Sequence, residues 1–186
     1  MAPAGHVISN PLSGEHITIH ATGGDVLAWE LVLAPGGRVP GSHSHPEQRE
    51  SFTVIEGRLR MRVGRRRVLA LPGDTVAIPP GTVHHFANPG PGPARVAVET
   101  RPPLDTAALL ETAAAMAREQ QAAARLLPRP TDLALFMRDF EREVSAPYLP
   151  APLVRLVTAA ITRLARRRGH DARYRALRES PGASHS

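Results

Sequence analysis

The chain has 186 residues, 42% of them hydrophobic, which fits one ordinary globular domain or a domain with an appendage and excludes an intrinsically disordered protein. It contains no cysteine, which excludes disulfides and thiolate metal sites and leaves nitrogen and oxygen as the only metal ligands. The formal net charge is +6, and all 23 basic residues are arginine.

The first part of the chain has the pattern of an all-β domain. Residues 1–14 are rich in Pro, Gly, Ser and Asn and predict an extended N-terminal arm. Residues 15–102 alternate short apolar segments with glycine and proline turns and predict an antiparallel sandwich or closed β-barrel. About eight strands are expected, at 16–20, 27–33, 52–55, 58–63, 68–71, 76–78, 84–87 and 95–100.

After Pro103 the apolar period changes from 2 to 3.6 residues, which predicts an α-helical extension over 103–179. About three helices are expected, with breaks at Pro128, Pro147 and Pro150. We expect the extension to pack on the barrel or on a second copy of it. A short further helix around 174–177 and a flexible tail at 180–186 complete the prediction.

Each of the three predicted helices has an apolar side. The first helix runs from Asp105 or Thr106 to about Leu126. The second has the strongest amphipathic pattern in the chain, formed by Leu133, Phe136, Met137, Phe140 and Val144. The third begins near Pro152, and its apolar side is formed by Leu153, Leu156, Val157, Ala160, Ile161 and Leu164.

The chemistry of the sequence is concentrated in two blocks of spaced residues. The first contains Gly37, His43, His45, Glu50 and Gly57, and the second contains Gly73, Pro79, Gly81, His84 and Asn88. Residues i and i+2 of a strand point to the same side, so the first two histidines face the barrel interior together. The odd offset to the glutamate requires a turn or bulge within 46–49 if it is to share that side.

Three imidazoles and one carboxylate make a donor set of borderline hardness. His43, His45, Glu50 and His84 together predict one divalent transition metal per chain, which could be Zn, Fe, Mn, Ni or Cu. Four protein ligands leave one or two coordination positions for a substrate, water or O2.

Both blocks resemble the two conserved motifs of the cupin superfamily, and the resemblance covers roughly residues 15–100. It implies a cupin-type antiparallel β-barrel, a jelly-roll-like sandwich of two packed sheets. It also implies that His43, His45, Glu50 and His84 are the metal ligands. Because cupins commonly pair through their sheets, we expect a homodimer.

The remaining candidates are weaker. His85 adjoins a proposed ligand but has the opposite parity, so it should face away from the site. Glu30 and Glu99 are interpreted as solvated strand residues. The other histidines (His6, His16, His20, His170 and His185) are interpreted as structural or solvated.

A substrate pocket could be lined by Trp29, Leu33, Phe52, Met61 and Phe86, although the same residues would serve as barrel core.

The resemblance suggests a small-molecule metalloenzyme, and dioxygenases, isomerases, lyases and cyclases all use such a site. We favour a dioxygenase. The alternative is a non-catalytic cupin that binds or senses a small molecule or metal. No helix-turn-helix is expected, because the breaks between the predicted helices are proline-rich.

The arginines do not predict a macromolecular partner. They are dispersed, with short runs at 65–67 and 166–168, and few aromatic residues are available to stack on bases. The basic amphipathic segment 153–168 could lie on a membrane surface, but packing against protein is the favoured interpretation. With no signal-peptide pattern and no apolar run of about 18 residues, a cytoplasmic location is expected.

Overall fold

The computed structural model describes residues 4–39, 41–147, 151–169 and 171–179, which contain nine strands and four helices. The predicted tail, His170 and His185 lie outside these residues. The strands are β1 (Val7–Asn10), β2 (Glu15–Gly23), β3 (Val26–Leu33), β4 (Arg49–Glu56), β5 (Leu59–Val63), β6 (Arg66–Ala70), β7 (Thr75–Ile78), β8 (His84–Ala87) and β9 (Ala94–Arg101). The helices are α1 (Thr106–Ala122), α2 (Pro130–Asp139), α3 (Ala151–Arg167) and α4 (Asp171–Glu179).

The strands form two antiparallel sheets around one hydrophobic core. The larger sheet has the order β1-β2-β3-β9-β4-β7, and the smaller has the order β6-β5-β8. Their inner faces share a single cluster of buried side chains. The predicted fold class, a mainly β cupin-type sandwich followed by a helical extension, is confirmed.

Alternation in the sequence correctly identified which faces of the strands are buried. On β3 the residues Leu27, Trp29, Leu31 and Leu33 are all buried, and their neighbours are only half-buried. On β5 the inward residues Leu59 and Met61 alternate with the exposed Arg60 and Arg62. This alternation is expected of a strand with one buried and one solvent-exposed face, because successive side chains point to opposite faces.

The predicted N-terminal arm contains a strand. β1 pairs antiparallel with β2, with Val7 opposite Thr18, and its residue Ile8 is buried in the core. The strand was not predicted, because the arm is polar in composition and only one of the four side chains of the strand enters the core. Helix α1 lies against it, and the Arg118 guanidinium donates a hydrogen bond to the carbonyl of Ser9 at 3.2 Å.

The structure contains the predicted helices. However, α1 and α2 are shorter than predicted, and some residues of the predicted apolar sides are exposed. α1 ends at Ala122, four residues before the predicted end, and Leu126 is 95% exposed. α2 ends at Asp139, so Phe140 and Val144 follow the helix instead of completing its stripe, and the predicted stripe residue Leu133 is exposed.

Helix α3 turns most of its predicted apolar side to solvent in the single chain. Leu153, Leu156, Val157 and Leu164 are exposed, whereas Thr162 and Ala165 are buried. The extension contacts the barrel through α1, which packs on β1, whereas α3 packs mainly on α2 and α4. None of the helices in the described ranges is long and apolar enough to cross a bilayer.

Helix α4 is tied to the rest of the extension by charge. The guanidinium of Arg173 pairs with Glu119 of α1 and with the buried carboxylate of Asp132 of α2. Arg178 pairs with Asp139 at 2.7 Å. Since one arginine joins three helices, the extension is held together by polar contacts as well as by its small apolar core.

Asn88 closes the turn between β8 and β9. Its side-chain amide donates to the carbonyls of Leu33, Ala34 and Gly92 at 3.0, 3.2 and 2.8 Å, and its carbonyl oxygen accepts the Gly90 N–H at 2.8 Å. The residue is 2% exposed, so water cannot replace these bonds. This network explains why an asparagine stands at that position of the second block.

Asn88→Ala should therefore lower the free energy of unfolding by about 1–3 kcal/mol, because buried carbonyls lose their donor. Urea denaturation followed by circular dichroism measures the change. Asn10→Ala is the control, since the Asn10 side chain accepts only an exposed bond from the Leu12 N–H at 3.1 Å and a long one from the Ser13 N–H at 3.4 Å, and it should cost less than about 1 kcal/mol. Equal losses in the two variants would show that the network does not stabilise the turn.

Candidate metal centre

His43 and His84 face each other across two neighbouring chain segments. The His43 N–H donates to the His84 carbonyl at 3.1 Å, and the His84 N–H donates to the His43 carbonyl at 2.8 Å. Directly opposed residues of an antiparallel pair place their side chains on the same face. The two imidazole centroids are consequently 4.4 Å apart.

His45 joins this pair because it lies two residues further along the same segment. Its ring centroid is 5.0 Å from that of His43 and 5.2 Å from that of His84. Its carbonyl accepts the Gly81 N–H at 2.8 Å, which connects it to the turn before β8. One donor atom from each of the three histidines lies within 4.8 Å of the others, as a shared metal requires.

Glu50 lies beside two of these rings. The chain bends at Pro46 and Glu47 before β4 begins at Arg49, and this bend compensates for the odd offset from His45. The carboxylate of Glu50 is buried, and its Oε2 lies 3.2 Å from His45 Nε2 and 3.4 Å from His84 Nε2.

Backbone carbonyls select the same imidazole nitrogen for coordination in all three histidines. Nδ1 of His43 donates to the Gly41 carbonyl at 3.2 Å, and Nδ1 of His84 donates to the Thr82 carbonyl at 3.0 Å. Nδ1 of His45 donates to the Glu143 carbonyl at 2.5 Å. Because a carbonyl can only accept, each Nδ1 carries a hydrogen, and Nε2 is left to bind a metal or a proton.

The Nε2 atoms of His45 and His84 are buried and make no hydrogen bond of acceptable geometry, although Glu50 lies near both. A buried nitrogen without a partner costs free energy unless a cation coordinates it. The residues present therefore fit a transition metal.

The charges of the site depend on burial and on the imidazole–carboxylate contacts. Burial, followed by the neighbouring imidazoles of His84 and His45, lowers the pKa of His43 to about 3, so this ring is neutral. Burial would lower the pKa of His45, but the Glu50 carboxylate outweighs it and raises that pKa. Burial would raise the pKa of Glu50, but His45 and His84 hold it well below its usual range, so the carboxylate is ionised.

A second set of contacts fixes Glu50 from behind. Thr100 Oγ1 donates to Glu50 Oε1 at 3.3 Å, and it accepts the Trp29 indole N–H at 3.2 Å. Thr100 lies opposite Glu50 in the β4–β9 ladder, and it is fully buried. Trp29, predicted as a pocket residue, therefore acts through Thr100 on the carboxylate.

The other predicted pocket residues are core side chains at different distances from the site. Phe52 has its ring centroid 6.5 Å from that of His84 and 5.5 Å from that of Phe86. All five predicted residues are at most 5% exposed and belong to one core cluster; they are Trp29, Leu33, Phe52, Met61 and Phe86.

The remaining candidates lie outside the cluster. His85 is half-buried and contacts the Ser42 hydroxyl at 3.1 Å. Glu30 pairs with Arg95 at 2.9 Å, and His6 contacts Glu111 of α1 at 3.0 Å.

Sequence reasoning missed the contribution of the helical extension to the site. The Glu143 carbonyl that orients His45 lies 98 residues away in the chain. Gln48, fully buried between two proposed ligands, donates to the carbonyls of Pro102 and Pro103 and to Thr106 Oγ1. A backbone carbonyl has no sequence signal, but a glutamine inside the first block could have indicated a buried polar contact.

Comparison with known proteins identifies a known domain within the chain. Residues 29–99, which contain His43, His45, Glu50 and His84, match the family model described as a cupin domain. A search of curated proteins gave no match.

Among solved structures, the chain is similar to TT1209 from Thermus thermophilus, with 27% identity, a TM-score of 0.46, and coverage of 50% of this chain and 87% of the other. It is similar to a sugar phosphate isomerase from a cupin superfamily of Silicibacter pomeroyi, with 26% identity, a TM-score of 0.45, and coverage of 48% and 60%. It is also similar to KdgF from Halomonas sp., with 20% identity, a TM-score of 0.49, and coverage of 55% and 93%.

The family match and the ten spaced residues of the two blocks fall on the same strands and turns, which the structure joins around three histidines. Residues 29–99 of this chain therefore form a cupin domain.

Proposed function

We propose that the protein is a mononuclear metalloenzyme that acts on a small molecule, with His43, His45, His84 and Glu50 holding one divalent transition metal. The observation that supports this most strongly is the common orientation of the three imidazoles. Each has its Nδ1 hydrogen bonded to a backbone carbonyl, and their donor atoms lie within 4.8 Å of one another. The metal is Zn, Fe, Mn, Ni or Cu, the ions that such donors suit.

The proposed fourth ligand sets the net charge of the loaded site. Three neutral imidazoles and one carboxylate leave a dication with a formal charge of +1. In a buried site this charge favours an anionic or oxygen-bearing ligand. Thr100 and Trp29 hold the carboxylate in place, so Glu50 needs little rearrangement to reach the same point as the histidines.

Access to the site is expected on the side of His43. His84 is fully buried and His45 is nearly so, whereas His43 is half-buried and follows the exposed Gly41. When bound, the metal would supply a Lewis acid or a redox centre. The chain's own residues would orient its ligand and exclude water, through the buried rings behind the site. We favour a dioxygenase, and isomerase and cyclase chemistry use the same ligand set.

Metal binding is the first test. Full-length protein stripped with a chelator and then titrated with Zn²⁺, Cu²⁺, Mn²⁺, Fe²⁺ or Ni²⁺ should take up about one ion per chain, because one donor cluster of this kind lies in the described ranges. Elemental analysis after gel filtration measures the stoichiometry. A protein that retains none of the five ions would refute the proposed function.

A second measurement distinguishes an open site from a closed structural one. Azide added to the Co²⁺-loaded protein should change its visible spectrum, because four protein ligands leave a position for a small anion. An unchanged spectrum at saturating azide would contradict the enzyme and favour a metal with a purely structural role.

A further inference from the structure

The metal-binding segment of the barrel is clasped by the helical extension. Residues 43–48, the ligand segment, carry two of the histidines. Residues 142–145, the clasp, follow α2 and lie directly against that segment. The two are joined by backbone hydrogen bonds in both directions: the Ser44 N–H donates to the Ser145 carbonyl at 3.2 Å, and the Ser145 N–H donates to the Ser44 carbonyl at 2.8 Å.

Side chains reinforce this backbone contact. The Arg142 guanidinium forks onto the Glu47 carboxylate with three N–O distances of 2.7 to 3.1 Å. Both side chains are largely exposed, so this ion pair contributes little free energy. Its main effect is to fix the orientation of the clasp relative to the ligand segment. Glu143 is buried, and its carboxylate accepts the Asp105 N–H at 3.1 Å, which anchors the clasp at the start of α1.

The ligand segment is also held from its other end. Gln48 reaches the carbonyls of Pro102 and Pro103 and the hydroxyl of Thr106, where the barrel passes into the extension. His45 therefore lies between two anchors, the clasp and the Gln48 contacts.

His45 differs from the other two histidines in the origin of its Nδ1 partner. Those of His43 and His84 are carbonyls two residues earlier in the chain, so the barrel supplies them. That of His45 is the carbonyl of Glu143, which belongs to the clasp. Without it, the His45 ring would lose the contact that fixes its tautomer and its direction.

We propose that the clasp is a positioning element of the metal site, so that docking of the helical extension and binding of the metal stabilise each other. This inference rests on the proposed function, because it assumes a metal held by His45. Linkage makes the effect reciprocal: if the docked clasp tightens metal binding, bound metal tightens the docking of the clasp by the same factor.

The decisive variant is Ser145→Pro, which removes the N–H that donates to the Ser44 carbonyl and touches no ligand. It should weaken Zn²⁺ binding by about 10- to 100-fold, the usual effect of disturbing the partner of a ligating histidine. Ser145→Ala keeps the N–H and is the matched control, which should bind Zn²⁺ as the wild type does. Competition with a chromogenic chelator measures both affinities.

The outcomes separate the two proposals. If wild-type protein binds no Zn²⁺, the proposed function has failed. If the wild type binds Zn²⁺ and folded Ser145→Pro binds it equally well, the site stands and the coupling is refuted. A purely structural role for the clasp would lower the stability of the metal-free protein and leave the affinity unchanged.

Hydrogen exchange of the wild type tests the coupling without any variant. Zn²⁺ should slow exchange at the amides of Ser145 and Asp105, which hydrogen bonds of the clasp protect although neither residue is a ligand. Unchanged exchange at both amides, with Zn²⁺ bound, would overturn the coupling even if Ser145→Pro failed to fold.

Discussion

Replacing His84 by alanine should weaken the binding of Zn²⁺ or Co²⁺ by at least about 100-fold. Changes to the outer partners of metal ligands already cost about 10- to 100-fold, and His84 supplies a donor atom itself. It is fully buried and opposite His43, so no other side chain can move into its place without disturbing the sheet. Chelator competition on the purified full-length variant measures the loss.

His85→Ala is the control for this experiment. His85 is the next residue on β8, but it points to the other face and contacts Ser42. Its removal should change the affinity by less than about threefold. Equal losses in the two variants would contradict the assignment of the inner face, and circular dichroism of both metal-free proteins shows whether folding accounts for any difference.

The inner face of the site could be predicted because strand parity is local information. Residues two positions apart on a strand point to the same side of the sheet, and this holds whatever the fold of the rest of the chain. The need for a bend before Glu50 followed from the same rule, and the structure has that bend at Pro46 and Glu47. Counting along this segment placed Glu50 on the same side as His45, whereas its position beside His84 on another strand was implied only by the resemblance to cupins.

The orientation of the helices could not be predicted in this way. Periodicity shows which side of α3 is apolar, but it does not show which neighbour covers it. α3 packs mainly on α2, which has only 10 residues. Thr162 and Ala165 of α3 are buried, whereas Leu156 is 69% exposed. In a two-sheet sandwich the covering partner is known in advance, because the inner face of each sheet packs on the inner face of the other.

The contact between Glu143 and His45 was also beyond sequence reasoning. It joins a backbone carbonyl to a ring across 98 residues, and every residue has a carbonyl. Its physical consequence is that the extension and the barrel are not independent units at this point. The predicted boundary near residue 102 describes a change of secondary structure, while the polar contacts of Gln48 cross it.

Truncating Phe52 distinguishes the two interpretations of the predicted pocket residues, as barrel core or as the lining of an open substrate pocket, because the two predict different losses of stability. As a core residue it is 1% exposed and packs on Phe86, beside the ring of His84. Its replacement should then leave a cavity that the surrounding strands cannot fill. As the wall of an open pocket it would already face solvent or ligand, and its truncation would cost little stability.

Phe52→Ala should lower the free energy of unfolding of the metal-free protein by about 3–5 kcal/mol, the usual cost of removing a buried phenyl ring. Ile55→Ala on the same strand is the matched control; Ile55 is 44% exposed, and its truncation should cost less than about 1.5 kcal/mol. Urea denaturation of both variants measures the difference. A loss below about 1.5 kcal/mol for Phe52→Ala would assign the residue to an open substrate pocket, because only a side chain already in contact with solvent can be removed so cheaply from the inner face of a sandwich.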